Sequence, residues 1–180
     1  MNKKLTLIAA VTSIVVIGLL TSCSSIPKNA TAVQNFDADK YLGKWYEIAR
    51  LDFKFEKDLN NTTAQYSKKS NGAIKVVNRG YNYVKKEWKE SEGKAKFRGS
   101  DKVAELKVSF FGPFYSGYNV IAIDNDYQYA LVAGKNTDYL WILSRQPSIP
   151  DNIKQNYLSI AEKIGYNTKD LIWVEHNNQK

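Results

Sequence analysis

The chain has 180 residues, with 26 Lys and Arg against 18 Asp and Glu, one His and one Cys. This length suits a single domain with its own core, and a hydrophobic fraction of 43% excludes a disordered or collagen-like chain. One Cys excludes an internal disulfide and a thiolate metal cluster, and one His excludes a multi-histidine metal site within a single chain. The formal net charge of +8 fits an anionic partner, but composition alone does not choose between nucleic acid, a membrane surface and neither.

The N-terminus carries the pattern of a secretory signal. Lys3 and Lys4 precede the uncharged and mostly apolar stretch 5–22, as in the n-region and h-region of a signal peptide. Residues 1–22 are therefore predicted to be a signal peptide that is removed. The alternative is a retained transmembrane anchor, since a stretch of this length nearly spans a bilayer.

The only Cys of the chain lies at the end of this stretch. Leu20-Thr21-Ser22-Cys23 looks like a bacterial lipobox, in which small residues precede a Cys that is lipidated and becomes the new N-terminus. Lipidation also explains an unpaired Cys in an exported protein. In a bacterium with two membranes, Ser24 resembles a sorting signal for the outer membrane. We therefore predict a lipoprotein of the cell envelope, anchored in the outer membrane if the organism has one.

One domain is predicted over residues 35–180, after a flexible lipidated tether over residues 23–34 that is rich in small and polar residues. Segments rich in Val, Ile, Tyr, Phe and Trp alternate with turn signals, of which Asn71-Gly72 is the clearest. Eight such strands are typical of an all-β sandwich or barrel, and an antiparallel meander of eight closes without exposed edges. The strands are predicted near residues 45–53, 63–69, 73–81, 88–97, 103–110, 117–124, 128–134 and 139–145.

A helix and a short ninth strand are predicted to follow. Ser148-Ile149-Pro150-Asp151 has the pattern of a capping box with Pro in the first turn, and Gly165 occupies a C-terminal stop position. The apolar residues between them recur at helical spacing, so one helix face should pack on the outside of the barrel. Those residues are Ile153, Tyr157, Ile160, Ala161 and Ile164. Residues 171–174 can then pair as the ninth strand.

Three motifs in chain order resemble those of the lipocalin family. Gly43-Lys44-Trp45 resembles the Gly-x-Trp signature, residues 134–139 resemble the turn of the second motif, and Leu143-Ser144-Arg145 resembles the third. The resemblance covers about residues 35–175. It implies an all-β fold: an eight-stranded antiparallel up-and-down β-barrel with one C-terminal α-helix packed outside and a short ninth strand.

Three residues of these motifs are predicted to close one end of the barrel. Gly43 lets the chain turn into the first strand, and Trp45 plugs the closed end. Arg145 lays its guanidinium over the indole in a cation–π contact. We expect all three residues to be structural and to make no ligand contact.

Strand parity predicts the lining of a cavity, because side chains alternate between the two faces of a strand. If Arg145 points inward, Trp141 shares its face, and the resemblance extends this assignment to the other strands, with Ala122 also inward. The predicted ligand-binding residues are Ala64, Tyr66, Val76, Asn78, Phe97, Leu106, Val108, Phe110, Tyr115, Tyr118, Val120, Val132, Tyr139 and Trp141. This mostly apolar set with few polar groups is typical of a small-molecule site, or alternatively of a solid packed core.

Large aromatic residues are predicted near the open rim. They form either a hydrophobic entrance or ordinary loop packing. They are Phe53, Phe55, Trp88, Phe111, Phe114 and Tyr115. Nearby lysines attract anionic head groups in the first interpretation and only solvate the surface in the second. They are Lys54, Lys57, Lys85, Lys86 and Lys89.

The predicted function is to bind amphipathic lipids, such as fatty acids or lysophospholipids, for storage, transport or scavenging in the envelope. Each CH₂ group of an acyl chain contributes about 0.8 kcal/mol when it is buried. The alternative is an envelope lipoprotein that acts mainly through protein–protein interaction, with incidental ligand binding.

Other functions are not expected. His176 lies at the C-terminal end and Cys23 is consumed by lipid, so no nucleophilic triad is expected and the chain is not predicted to be an enzyme. No cofactor or metal is expected, and export argues against a nucleic-acid partner. The sequence leaves a monomer and a homodimer both open.

The lipobox interpretation predicts that Cys23→Ser abolishes acylation, because the acceptor thiol is lost. Metabolic labelling with an alkyne fatty acid should then give no labelled protein, and fractionation should show released protein or uncleaved precursor. Ser24→Ala, a control that keeps the thiol, should still be labelled. Normal acylation of the Cys23→Ser chain would reject the lipobox.

Overall fold

The computed structural model describes residues 25–177, so the predicted signal peptide and Cys23 lie outside the described residues. Within that range, no helix has the length and hydropathy needed to cross a bilayer. All eight predicted strands are present, with ends within four residues of the predicted positions. The elements in chain order are α1 (Ala38–Tyr41), β1 (Gly43–Leu51), β2 (Leu59–Lys68), β3 (Ile74–Asn82), β4 (Glu87–Phe97), β5 (Glu105–Ser109), β6 (Ser116–Ile123), β7 (Tyr129–Ala133), β8 (Leu140–Ser144), α2 (Asp151–Ile164), a 3₁₀ turn (Thr168–Asp170) and β9 (Leu171–Trp173).

The strands form one closed antiparallel sheet. From β2 to β8 each strand pairs with the next along the chain, and β1 pairs with both β2 and β8. The short β9 adds to the far end of β1, where Arg50 pairs with Ile172. Closure gives every strand of the barrel two neighbours. The predicted eight-stranded barrel with a ninth strand is confirmed.

One end of the barrel is sealed by Trp45 and Arg145. The indole of Trp45 is fully buried, and its Nε1 donates to the carbonyl of Tyr41 at 2.8 Å. The guanidinium carbon of Arg145 lies 3.8 Å from the centroid of that indole. Its N–H groups donate at 2.7–3.1 Å to the backbone carbonyls of Lys40, Lys44 and Tyr127. A cation held over a ring in this way ties α1 and β1 to the end of β8.

Gly43 makes the entry into β1 at this sealed end. Its φ of +95° lies in the left-handed region that favours glycine. A Cβ at this position would also lie 3.3 Å from Nη1 of Arg145. The positive φ therefore favours glycine here, and the close guanidinium leaves little room for a Cβ.

Residues 25–34 pack against β6 and the loop before β5. The amide of Val33 donates to the carbonyl of Val120, and Ala32 is buried. At the start of this segment, the carbonyl of Ser25 accepts a hydrogen bond from Nδ2 of Asn119 at 2.8 Å. The expectation of a flexible tether is therefore wrong over residues 25–34, because their backbone groups find partners on β6 and the loop before β5.

Helix α2 covers the outside of the barrel with its apolar face. Tyr157 and Ala161 are buried in a cluster with residues of β1, β7 and β8. The hydroxyl of Tyr157 donates to the carbonyl of Tyr129 at 2.9 Å, which fixes the helix to β7. The helix ends at Gly165, which adopts φ +111° as predicted for a C-terminal stop.

The start of α2 differs from the predicted capping box. Pro150 is the N-cap residue, and no side chain accepts a hydrogen bond from the first turn. The carbonyl of Ser148 instead accepts from Oγ of Ser144 at 2.8 Å, so Ser148 belongs to the turn after β8. The fixed φ of proline prepares the helix start without a side-chain cap.

A β-bulge interrupts the parity of β6. Val120 pairs with Val132, but Ala122 pairs with Leu131, so one extra residue, Ile121, is inserted. Beyond the bulge the faces are exchanged. Ala122 therefore packs in the cluster under α2, and the expectation that it points into the barrel is wrong.

The sealed end predicts a stability cost for Arg145→Ala. The substitution removes the contact with Trp45 and leaves three backbone carbonyls without these donors, so we expect a loss of about 2–4 kcal/mol in the free energy of unfolding. Urea unfolding followed by circular dichroism measures it. Arg145→Lys keeps the charge without the planar fork, so its free energy of unfolding should lie between those of the wild type and Arg145→Ala. A loss below about 0.5 kcal/mol for Arg145→Ala would contradict this role.

Candidate functional site

A cavity of about 780 Å³ occupies the barrel on the side away from Trp45. Residues of β1 to β6 and β8 line it, together with loop residues such as Phe55 and Phe114 that are exposed to solvent. The volume lies within the range of small-molecule sites. The alternative of a solid packed core is therefore excluded.

The structure places eleven of the fourteen predicted ligand-binding residues on the cavity wall. These residues are Ala64, Tyr66, Val76, Asn78, Leu106, Val108, Phe110, Tyr115, Tyr118, Tyr139 and Trp141. Eight of them lie on regular stretches of β2, β3, β5, β6 and β8, where side chains alternate as strand parity assumes. Their contact with a ligand stays a prediction.

Three other predicted residues, Phe97, Val120 and Val132, do not line the cavity. They belong to the buried cluster at the sealed end, where Val120 and Val132 are fully buried. Phe97 lies edge-on to Phe36, with 6.3 Å between the ring centroids. The side chain of Phe36, which precedes α1, helps to fill this end, so the cavity stops above these residues.

Three tyrosine hydroxyls form a hydrogen-bonded chain deep in the cavity. The oxygen of Tyr118 lies 2.6 Å from that of Tyr41 and 2.8 Å from that of Tyr66. Burial raises the pKa of all three phenols above the ordinary value, so they remain neutral. Strand parity missed Tyr41 because it lies on α1, outside any strand.

A buried ionic cluster lies in the wall of the cavity nearer the mouth. Nη1 of Arg50 donates to Oε1 of Glu47 at 2.7 Å, and Nε of Arg50 lies 4.0 Å from Oε2 of Glu56. The indole Nε1 of Trp141 donates to Oε2 of Glu56 at 3.1 Å. Both Glu47 and Glu56 line the cavity, and all three charged residues are buried.

The two carboxyls of this cluster have perturbed acidity. Burial raises the pKa of Glu56 well above its ordinary value, and the nearby charge of Glu47 raises it further. Burial also raises the pKa of Glu47, which Arg50 opposes. The sequence offered one signal, since Glu47 shares the parity of the inward Trp45. Glu56 lies in the loop between β1 and β2, where parity gives no information.

Aromatic rings surround the mouth. Phe55 and Phe111 contact each other at 5.5 Å between centroids, and both are more than half exposed. Phe53 packs edge-on against Trp141 at 5.7 Å and so connects the rim to the wall. Trp88 lies beside the turn between β3 and β4, but it packs against Tyr81 and is not part of the cavity lining. On β4 the side chains of Lys89, Ser91 and Ala95 line the cavity, so Trp88 lies on the opposite face of the strand.

Lysine side chains add positive charge at the mouth. Lys54 and Lys89, which the sequence places near the rim, line the cavity, and so does Lys135. All three are exposed. The site thus combines an apolar interior, an acidic patch in the wall and cations at the entrance.

The perturbed carboxyls predict a pH dependence of stability. The folded state holds the proton of Glu56 more tightly than the unfolded state does, so the free energy of unfolding should fall as pH rises from the ordinary Glu range through the raised pKa. Glu56→Gln should flatten this decline, because the neutral amide never ionises. Urea unfolding at several values between about pH 4 and pH 8 measures it.

Glu92→Gln provides the matched control for this measurement. Glu92 is an exposed carboxylate paired with Lys75, which lowers its pKa. Its removal should leave the decline above the ordinary Glu range in place. Parallel curves for wild type and Glu56→Gln would contradict the assigned acidity.

Known proteins resemble this chain over most of its length. The model of the lipocalin-like domain matches residues 36–176. The Outer membrane lipoprotein Blc of Citrobacter freundii is 53% identical over 173 residues, which cover 95% of this chain and 96% of that protein. Apolipoprotein D of Rattus norvegicus is a more distant relative, 38% identical over 139 residues that cover 73% and 70% of the two chains.

Solved structures agree on the fold. Insecticyanin of the tobacco hornworm Manduca sexta superposes with a TM-score of 0.66 at 19% identity, covering 83% of this chain and 86% of that one. The close relatives locate the chain as an outer-membrane lipoprotein, as the lipobox predicted. Because the domain match spans most of the described barrel, the chain belongs to the lipocalin family.

Proposed function

We propose that the protein binds amphipathic lipids, namely fatty acids and lysophospholipids, in the barrel cavity. Acyl chains on Cys23 hold it at the membrane, and the bound lipid is stored, transported or scavenged within the envelope. Lipocalins bind small hydrophobic molecules, and the cavity supports the finer assignment to lipids. The observation that carries the proposal is an apolar cavity of about 780 Å³ with polar and charged groups confined to a few positions.

The apolar part of the cavity suits a flexible acyl chain. Its wall includes Val76, Leu106, Val108 and Phe110, whose side chains present only hydrocarbon. Each CH₂ group transferred from water contributes about 0.8 kcal/mol, and an acyl chain can bend to follow an irregular wall. A chain held in this way needs no specific polar contact along its length.

The charged groups suit a head group at the mouth. The cations Lys54, Lys89 and Lys135 line the entrance and can attract phosphate or carboxylate. Exposed rings of Phe55, Phe111 and Phe114 surround the same entrance. An amphipathic ligand would therefore place its tail inside and its head group among charged residues.

The same groups do not support catalysis. The carboxyls of Glu47 and Glu56 are held by Arg50 and Trp141, and no nucleophile with an adjacent base lies beside them within the described residues. We therefore infer binding without chemical conversion of the lipid.

Native mass spectrometry of tag-free mature protein tests the proposal. We expect a co-purifying lipid mass that added lysophospholipid displaces. The same spectrum reports whether the protein is a monomer or a homodimer. An empty protein that co-purifies with a protein partner would favour the alternative, an envelope lipoprotein acting through protein–protein interaction.

Substitution of a wall residue predicts weaker binding. Trp141→Ala removes a large apolar surface and should reduce lipid affinity about 10- to 100-fold, as measured by displacement of a fluorescent fatty acid. Circular dichroism should show an intact fold. Trp88→Ala, which removes an indole outside the cavity lining, is the matched control and should leave affinity unchanged. Unchanged affinity in Trp141→Ala would count against this pocket.

A further inference from the structure

The described part of the chain begins against the first residues of β6. The carbonyl of Ser25 accepts a hydrogen bond from Nδ2 of Asn119, and its hydroxyl donates to Oε1 of Glu105. A Cβ on Gly117, the second residue of β6, would collide with the same carbonyl and would lie 3.1 Å from the backbone of Lys135. Gly117 and Lys135 both line the cavity, so Ser25 lies near the end of the barrel that opens.

This position confines the proposed acyl anchor to the same end of the barrel. Cys23 precedes Ser25 by two residues, and two residues of backbone span at most about 7 Å. The segment after Ser25 is not a long free linker, because it bonds to the barrel as far as Val33, whose amide donates to the carbonyl of Val120. A bilayer that takes up acyl chains on Cys23 must therefore pass close to the start of β6.

The loop between β5 and β6 presents two apolar rings at this place. Phe111 is 61% exposed and Phe114 is 78% exposed, and Phe114 precedes Gly117 by only three residues. The amide of Phe114 donates to the carbonyl of Phe111 at 3.2 Å, which closes a turn and holds both rings on one short loop. Exposed aromatic rings beside a membrane anchor are suited to the interfacial region of a bilayer.

Cationic side chains flank the same loop. Nζ of Lys94 and Nζ of Lys107 lie 5.8 and 5.2 Å from the ring centroid of Tyr115, which follows Phe114. Lys135, beside Gly117, is exposed to solvent. Lysines placed around apolar rings are attracted to the anionic head groups of a bilayer surface.

We infer that the loop between β5 and β6 inserts Phe111 and Phe114 into the bilayer that holds the acyl anchor. The lysines around Tyr115 then lie on its anionic head groups. The inference rests on the acylation of Cys23 that the proposed function includes, and it does not require lipid in the cavity. It assigns the barrel a fixed, one-sided contact with the membrane in place of a free position on a tether.

Other exposed apolar residues lie farther from the anchor. Tyr83 and Val84, in the turn between β3 and β4, are 53% and 64% exposed. Two strands, β4 and β5, separate β3 from β6 in the sheet, which places β3 about 14 Å from β6. Ile172 and Trp173 belong to β9, four strands from β6 in the other direction. The anchor therefore favours the loop between β5 and β6 over these residues.

Fluorescence quenching by lipids measures this one-sided contact. Phe114→Cys and Val84→Cys are each labelled with a nitrobenzoxadiazole fluorophore in the acylated protein, where lipid occupies the thiol of Cys23. Each protein is reconstituted into vesicles of phosphatidylethanolamine and phosphatidylglycerol that contain a phospholipid with a nitroxide on its acyl chain. Both positions are exposed, so neither substitution removes core packing. We expect at least about threefold stronger quenching at position 114 than at position 84.

Each other outcome has a distinct meaning. Equal quenching at the two positions, or none at position 114, would overturn the inference while leaving lipid binding in the cavity intact. A blue-shifted but unquenched fluorophore at position 114 would indicate a protein partner or a second copy on the loop and would also overturn it. Protein that does not float with the vesicles would overturn the acyl anchor, and with it the inference.

Charge reversal tests the contribution of the lysines. Lys94→Glu should lower the quenching at position 114 about twofold or more, because a cation near the anionic surface becomes an anion. Lys68→Glu is the matched control, since Lys68 is an exposed lysine where β2 ends near the sealed end of the barrel. It should leave the quenching unchanged. An equal effect of the two substitutions would overturn the assigned contact of Lys94 with head groups.

Discussion

Trp45 and Arg145 contact each other across one end of the barrel and so determine where its interior can open. A closed sheet of eight strands has two ends, and this contact seals one of them with a fully buried ring and a guanidinium bonded to three backbone carbonyls. Phe36 and the buried cluster around it fill the volume next to the seal. The remaining interior can therefore open only at the other end, where the loops carry exposed aromatic residues.

The sheet and the helix divide the apolar residues into two separate clusters. One lies inside the barrel and includes Trp45, while the other lies between the outer face of the sheet and α2 and includes Tyr157. The outer cluster gives the barrel wall support that does not depend on filling the interior. The domain can thus keep a cavity of about 780 Å³ while its stability comes from the sealed end and from the covered outer wall.

Much of this arrangement could be predicted from the sequence, because side-chain alternation has a period of two wherever a strand is regular. Tyr66, Val76 and Trp141 reached the cavity wall on that basis. The prediction failed where the period breaks, as at the bulge that turns Ala122 outward. It was also silent on Tyr41 and Glu56, since residues of a short helix or a loop are placed by tertiary contacts that no local pattern encodes. The most polar features of the cavity lie at such positions.

We propose that the apolar space inside the barrel holds the tail of a lipid. A crystal structure of the mature protein, purified from membranes without added lipid, tests it most directly. We predict continuous density for an acyl chain between Tyr118 and Trp141, with its polar end toward the lysine-lined mouth. A cavity closed by its own side chains, or one holding only ordered water, would contradict it.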